Sequence, residues 1–159
     1  MANTDNSCSH LEVKDEYSKS TNTLHDLLML QKDIQEKVYG FDFKNMQENY
    51  TLAQYREFFD WNYHAISDEL REMMDALGGV KHGIGNGVWK PWKKSYKDAQ
   101  NMKFADMHPE DLLELKYELI DIQHFINNLF LAVGVTPQEF YNLYFSKNEE
   151  NRNRQLRNY

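Results

Sequence analysis

A single cysteine, Cys8, leaves this chain of 159 residues without a partner for an internal disulfide, and a reducing, intracellular compartment is the expectation. No apolar run approaches the roughly 18 residues that a membrane-crossing helix needs, so no membrane partner is expected. The stretch from Met1 to Ser20 is polar and lacks the apolar centre of a secretory leader. Positive charge is short as well. With 18 Lys and Arg against 25 Asp and Glu the net charge is −7, which argues against duplex nucleic acid as a partner, because that affinity comes mainly from basic side chains neutralising phosphates. The basic residues are unevenly spread: Lys90, Lys93, Lys94 and Lys97 fall in one stretch, and Lys147, Arg152, Arg154 and Arg157 in another. Two local positive regions on an acidic protein suit a small polyanion better than a long one. Cys8 with His10 offers only two metal ligands in a polar tail and reads as no site.

An apolar content of 41% and an aromatic content of 14% indicate a folded chain, long enough for one domain with one core. Residues 1–22 read as a disordered polar tail and residues 23–159 as the domain. A first helix is expected from an N-cap at Thr23, with Asp26 at N3, to a stop before Gly40; Leu24, Leu27, Leu28, Gln31, Ile34 and Val38 form its inward stripe. The second opens with a capping box, Thr51 and Gln54, and runs to Leu77 before Gly78-Gly79. Its expected core positions are Tyr55, Phe59, Ile66, Leu70, Met73 and Leu77, with Glu69 and Glu72 at the edge of that stripe. An insert over 78–108, rich in glycine, tryptophan and lysine, reads as irregular at first and helical from Trp92 to Met102. A third long helix begins at Pro109 and ends before Gly134. Its stripe is Leu112, Leu115, Leu119, Ile122, Ile126 and Leu129, with Asp111, Glu114, Glu118 and Asp121 running alongside. Thr136, Pro137 and Glu139 start a fourth helix by another capping box, with Phe140, Leu143 and Tyr144 burying its first turns. Strand signals are weak throughout, so the fold class is all-α, a bundle of four or five helices.

Two acidic pairs carry the chemistry: Glu69-Leu70-Arg71-Glu72 and Glu118-Leu119-Ile120-Asp121. Carboxylates three apart share a helical face, so two helices packed side by side bring four together. Two such charges about 6 Å apart repel by roughly 3 kcal/mol at an effective dielectric of about 20, so the cluster needs cations or shifted protonation. Ligands that are all oxygen point to magnesium, or manganese in its place, and hence to a phosphate substrate. The bland alternative is two solvated acidic faces. Asp121-Ile122-Gln123-His124 is the nearest approach to the Glu-x-x-His of di-iron bundles, but no second copy exists. Metal-assisted phosphoanhydride hydrolysis is the other chemical reading, with one carboxylate free to accept a proton from water. Lys147, Asn151 and Arg154, spaced four and three, form a candidate phosphate clamp. Gln31 and Asn128, on inward helix faces, carry amides that match a pyrimidine edge.

These residues resemble the all-α nucleoside triphosphate pyrophosphatases that include dimeric dUTPases and the dCTP/dUTP pyrophosphatases of T-even-type phages. The resemblance runs from about Leu27 onward and rests on Glu69-x-x-Glu72, Glu118-x-x-Asp121, Asp121-Ile122-Gln123-His124-Phe125, the insert Trp89-Lys90-Pro91-Trp92-Lys93-Lys94 and the ending Lys147 to Tyr159. It implies a MazG-like and dimeric-dUTPase-like fold with magnesium on Glu69, Glu72, Glu118 and Asp121. Phosphate contacts fall on Lys147, Asn151 and Arg154, and base recognition on Gln31 and Asn128. Beside what the resemblance implies, Trp61 and Phe125 are expected to pack on the sugar, Lys93 and Tyr159 to join the substrate contacts, and Glu72, with Glu69 as the alternative, to act as the catalytic base. The chain departs from the family in the long spacing from Glu72 to Glu118, which fits the larger dUTPase branch, and in Asn158 where the ending has glycine. The implied activity is hydrolysis of dUTP, dCTP or both to the monophosphate and pyrophosphate by a homodimer in the cytoplasm of a bacterium or an infected host cell. A di-iron carboxylate enzyme and a non-catalytic helical interaction module are the competing classes. The segment 147–159 is expected to be held by little until a triphosphate arrives.

Overall fold

The computed structural model describes residues 7–157, so the expectations for Asn158 and Tyr159 lie outside the described residues. Every regular element among those residues is helical: α1 Thr23–Lys37, α2 Phe43–Asn49, α3 Leu52–Leu77, α4 Pro109–Ala132 and α5 Pro137–Leu156, with short 3-10 turns between them. The all-α expectation holds. No single described helix is long and apolar enough to cross a membrane. The chain divides into two compact units, Met1–Asp15 with Glu57–Ile126, and Glu16–Arg56 with Asn127–Tyr159.

Helix starts follow local chemistry closely. The Thr51–Gln54 capping box forms, with Thr51 N donating to Gln54 Oε1 at 2.9 Å and Gln54 N to Thr51 Oγ1 at 3.3 Å. Thr136 Oγ1 accepts from Glu139 N at 3.2 Å, ahead of Pro137 at the start of α5. At α1 the cap is Asn22, not Thr23: its Oδ1 accepts from His25 N at 3.2 Å, and asparagine is the stronger N-cap residue of the two.

In the unit containing α1 and α5, the inward face of α1 is rotated from the expected stripe. Leu28, Gln31 and Gln35 are buried, whereas Leu27, Ile34 and Val38 are exposed. The rotation puts Gln31 where its Nε2 donates to Asn128 Oδ1 at 2.7 Å, and buried amides go where a partner exists. Helix α2, absent from the sequence reading, is capped by Asp42 and buries Phe43 and Met46 almost completely. The end of α4 has its free carbonyls satisfied by side chains: Gln47 Nε2 donates to Leu131 O at 2.8 Å, and Tyr55 hydroxyl to Ala132 O at 2.9 Å. Phe140 meets Phe130 edge to face at 4.9 Å, but Leu143 and Tyr144 are exposed, contrary to expectation, and α5 buries no residue.

The other unit shows the same rotation with acids in place of amides. On α3 Phe58, Asn62 and Ala76 are buried, while Phe59, Leu70 and Leu77 are exposed. On α4 Asp111, Glu114 and Glu118 are buried and Leu119 is exposed. The acidic row of α4 is therefore part of its inward face, whereas Glu69 and Glu72, half-buried, lie at the edge of the α3 stripe as expected. The insert that follows α3 holds 3-10 turns at Gly85–Val88, Lys94–Gln100 and Phe104–Asp106; the helix expected over 92–102 is the middle one, short and of 3-10 type. Asp111, only 2% exposed, ties the insert down by accepting from Lys81 N at 2.9 Å and His82 N at 3.0 Å. Gly79 permits this approach: its φ is 77°, and an added Cβ would lie 2.9 Å from Asp111 Oδ2.

Candidate active site

Glu69 and Glu72 leave α3 one turn apart, and Asp111, Glu114, Glu118 and Asp121 follow one another along α4 at spacings of three, four and three, which keeps them on one face. Carboxylate oxygens of Glu69, Glu72 and Glu118 all lie within 4.8 Å of one another. Oxygens on a single magnesium stand about 2.9 Å apart when adjacent and about 4.2 Å when opposite, given bonds of about 2.0–2.1 Å, so small rotamer changes bring this trio to ligating distance. Asp121 stands beside the trio but faces His124, whose Nδ1 lies 3.5 Å from Asp121 Oδ1.

The electrostatics record the crowding. Burial first, and then Glu72, Glu114, Glu69 and Asp121, push the Glu118 carboxyl up to about 7. Glu69 is raised by burial and by Asp121, Glu72 and Asp68, and Asp121 by burial against the opposing pull of His124. A proton held on Glu118 offsets part of this repulsion. A divalent cation in place of that proton relieves the repulsion, and a set of carboxylate oxygens without histidine fits magnesium or manganese better than iron.

Glu114 is a residue that the sequence reading left beside the stripe without a role. Its Oε2 accepts from Ser7 Oγ at 2.9 Å and from Ser9 N at 2.7 Å, so residues assigned to a polar tail are buried against the acidic row. Cys8, between them, has its thiol raised by burial and by Asp121, Glu114, Glu118 and Glu69, and stays protonated at neutral pH. The continuous acid spacing along α4 was the signal for Glu114; nothing in the sequence signalled Ser7 and Ser9.

The remaining expected site residues sit as follows. Trp61 and Phe125 meet edge to face at 5.8 Å, with Trp61 half exposed. Lys93 Nζ donates to Asn86 Oδ1 within the insert. Gln31 and Asn128 are paired, and one turn along the same face Gln35 is 4% exposed, its Oε1 without a hydrogen-bond partner among the described residues. Lys147, Asn151 and Arg154 are exposed on α5, and the last two line an open groove with Asn148, Arg152 and Gln155. Segment 147–156 is helical and buries no residue, and Glu150 Oε1 accepts from Arg154 Nε at 3.2 Å and Arg157 Nη2 at 2.6 Å. A cavity of about 500 Å³ lies elsewhere, among insert residues that include Ile84, Met102 and Phe104, and none of the trio lines it.

Comparison with known proteins adds an independent finding. The chain is 49% identical over 96 residues to a protein named dCTP pyrophosphatase from Enterobacteria phage LZ5, a match covering 59% of this chain and 56% of that protein. The dCTP pyrophosphatase of Enterobacteria phage T4 is 43% identical over the same length and the same shares. The chain is similar to phage dCTP pyrophosphatases. It also matches a T4 protein named DNA replication protein, at 43% identity over 86 residues, 53% of this chain and 22% of that protein. The chain spans little more than half the length of the two pyrophosphatases. No family model matches it. No solved structure matches it either.

Proposed function

We propose that this chain hydrolyses dCTP, with dUTP as a second substrate, to the nucleoside monophosphate and pyrophosphate, using magnesium or manganese. The observation that carries the reading is the trio Glu69, Glu72 and Glu118, whose oxygens converge within 4.8 Å, with Glu118 buried and the other two half-buried. The names of the phage relatives support the substrate class. Glu69, Glu72, Glu118 and Asp121 are the metal-holding residues in this proposal. A bound divalent ion supplies charge neutralisation for the phosphates and an activated water. Glu72 takes the role of base, with Glu69 the alternative: a carboxylate within one water's reach accepts the proton as the phosphorus is attacked.

Lys147, Asn151, Arg154 and Lys93 are proposed as phosphate contacts, and Trp61 with Phe125 as the surface against the deoxyribose, where a 2′-hydroxyl would be desolvated without a partner. Gln31 and Asn128 are assigned to the base. Gln35 is added here because its buried Oε1 has no donor among the described residues. Cytosine offers an amino group at that exocyclic position and uracil only an acceptor, which favours dCTP. The protein is proposed to act as a homodimer in the cytoplasm of a bacterium or an infected host. Pyrophosphate release measured across the ribo- and deoxynucleoside triphosphates, with magnesium and with chelator, tests the reading. Magnesium-dependent release from dCTP above all purines is expected; equal rates for dCTP and dGTP, or full activity in chelator, would refute it.

A further inference from the structure

A second convergence of ligating groups lies where the insert meets the start of α4, in the same unit as the trio and differing from it in chemistry. His82, His108 and Glu110 each place one ligand atom within 4.8 Å of the others. His82 Nε2 is 2.9 Å from Glu110 Oε2, and the imidazoles of His82 and His108 stack with centroids 3.7 Å apart and planes tilted by 33°. Glu110 N also donates to His108 Nδ1 at 3.3 Å, which orients that ring. The backbone under the cluster is anchored: His82 follows the loop that Asp111 grips through two N–H groups, and Glu110 opens α4.

We propose that His82, His108 and Glu110 form a transition-metal site, with zinc the cation that the donor set fits, clipping the loop after α3 to the start of α4. Two imidazoles and one carboxylate are a zinc-type set, whereas the all-oxygen trio suits magnesium. Tetrahedral zinc with bonds of about 2.0–2.2 Å needs donors about 3.3–3.5 Å apart, between the 2.9 Å of the His82–Glu110 pair and the 4.8 Å limit of the cluster, an adjustment that exposed side chains on fixed backbone reach by rotation. The hydrogen bond from His82 holds the Glu110 carboxyl below its usual range, so it is ionised at neutral pH. His82 and His108 also border the 500 Å³ cavity, which leaves the fourth position to water.

The test uses the full chain, stripped by chelator and kept in millimolar magnesium, titrated with zinc chloride while melting temperature and histidine ring NMR signals are read. One zinc per chain is expected to raise the melting temperature and shift the His82 and His108 signals. His82→Ala and His108→Ala should each weaken that binding by at least ~10-fold, and Glu118→Gln should retain it. Absence of histidine shifts in the unaltered chain, or an unchanged zinc response in both histidine variants, would overturn the site.

Discussion

Both units bury polar side chains on helix faces where leucine and isoleucine would be expected, yet the two sets are in opposite condition. Gln31 and Asn128 satisfy each other through a 2.7 Å hydrogen bond. Glu69, Glu72 and Glu118 oppose each other, and the strain is visible in Glu118 pushed up to about 7. A neutral amide pair stabilises the fold it sits in, whereas a cluster of acids of like charge costs stability and is retained where it holds a cation. The acidic unit is therefore the place to look for chemistry, and the amide unit the place to look for both stability and recognition.

The sharpest way to break this comparison is Glu72→Gln. Turnover should fall by at least ~10²-fold while the melting temperature of the metal-free protein stays level or rises, because one repelling charge is gone. Near-normal kcat in that variant would remove the pair from the chemistry. Arg154→Ala comes next, with an expected loss of ~10- to 150-fold in kcat/KM for dCTP, the range for charge-assisted hydrogen bonds of roughly 1.5–3 kcal/mol. Its exposed pair with Glu150 contributes only about 0.3–0.5 kcal/mol, so the melting temperature should hardly move. A lowered melting temperature with intact kinetics would make Arg154 a helix-stabilising residue instead.

Asn128→Ala should show the amide unit's contrasting signature. It strands Gln31 Nε2 in a buried position, at a cost of roughly 1–3 kcal/mol read by urea denaturation without ligand. An unchanged denaturation midpoint would mean that the pair is not structural.

The smallest effect concerns pH. Glu118 has its carboxyl raised above the usual 4.5 in the folded state, so the folded chain binds the extra proton, and this group's contribution to stability is greatest below about 4.5 and is lost as pH rises through about 7. Glu69 and Asp121 shift in the same direction. Melting temperature in chelator should fall across that window from this group of acids, and magnesium should flatten the slope. A slope unaffected by magnesium would separate the acids from the metal.

Much of the site was legible in advance because carboxylates spaced three apart point the same way on any helix. The faces were harder. Expectation placed Glu69, Glu72 and Glu118 beside apolar stripes, and Leu70 and Leu119 inside them, because hydrophobicity alone decides which side of an isolated helix turns inward. In the folded chain Leu119 is 51% exposed and Glu118 is 9% exposed. Rotation follows from what lies opposite, and neither a partner carboxylate on another helix nor Ser7 and Ser9 reaching Glu114 from more than a hundred residues away leaves any mark on local sequence. Helix α2 was missed for a related reason: seven residues carry too few turns for a periodic pattern, and it is Phe43 and Met46 finding a cavity to fill that holds it.

By itself, the sequence determined the helical class, the boundaries of α3 and α4 and the start of α5 to within a residue or two, and the capping chemistry at Thr51 and Thr136, all of which depend on contacts no more than four residues apart. Only the tertiary structure decided which side of each helix is buried, that Gln31 pairs with Asn128 while Gln35 Oε1 has no hydrogen-bond partner among the described residues, that His82 meets His108 and Glu110, and that three of the four acids converge while Asp121 lies against His124. Those choices depend on long-range packing, in which a helix turns to satisfy its buried polar groups and leaves some of its leucines in water.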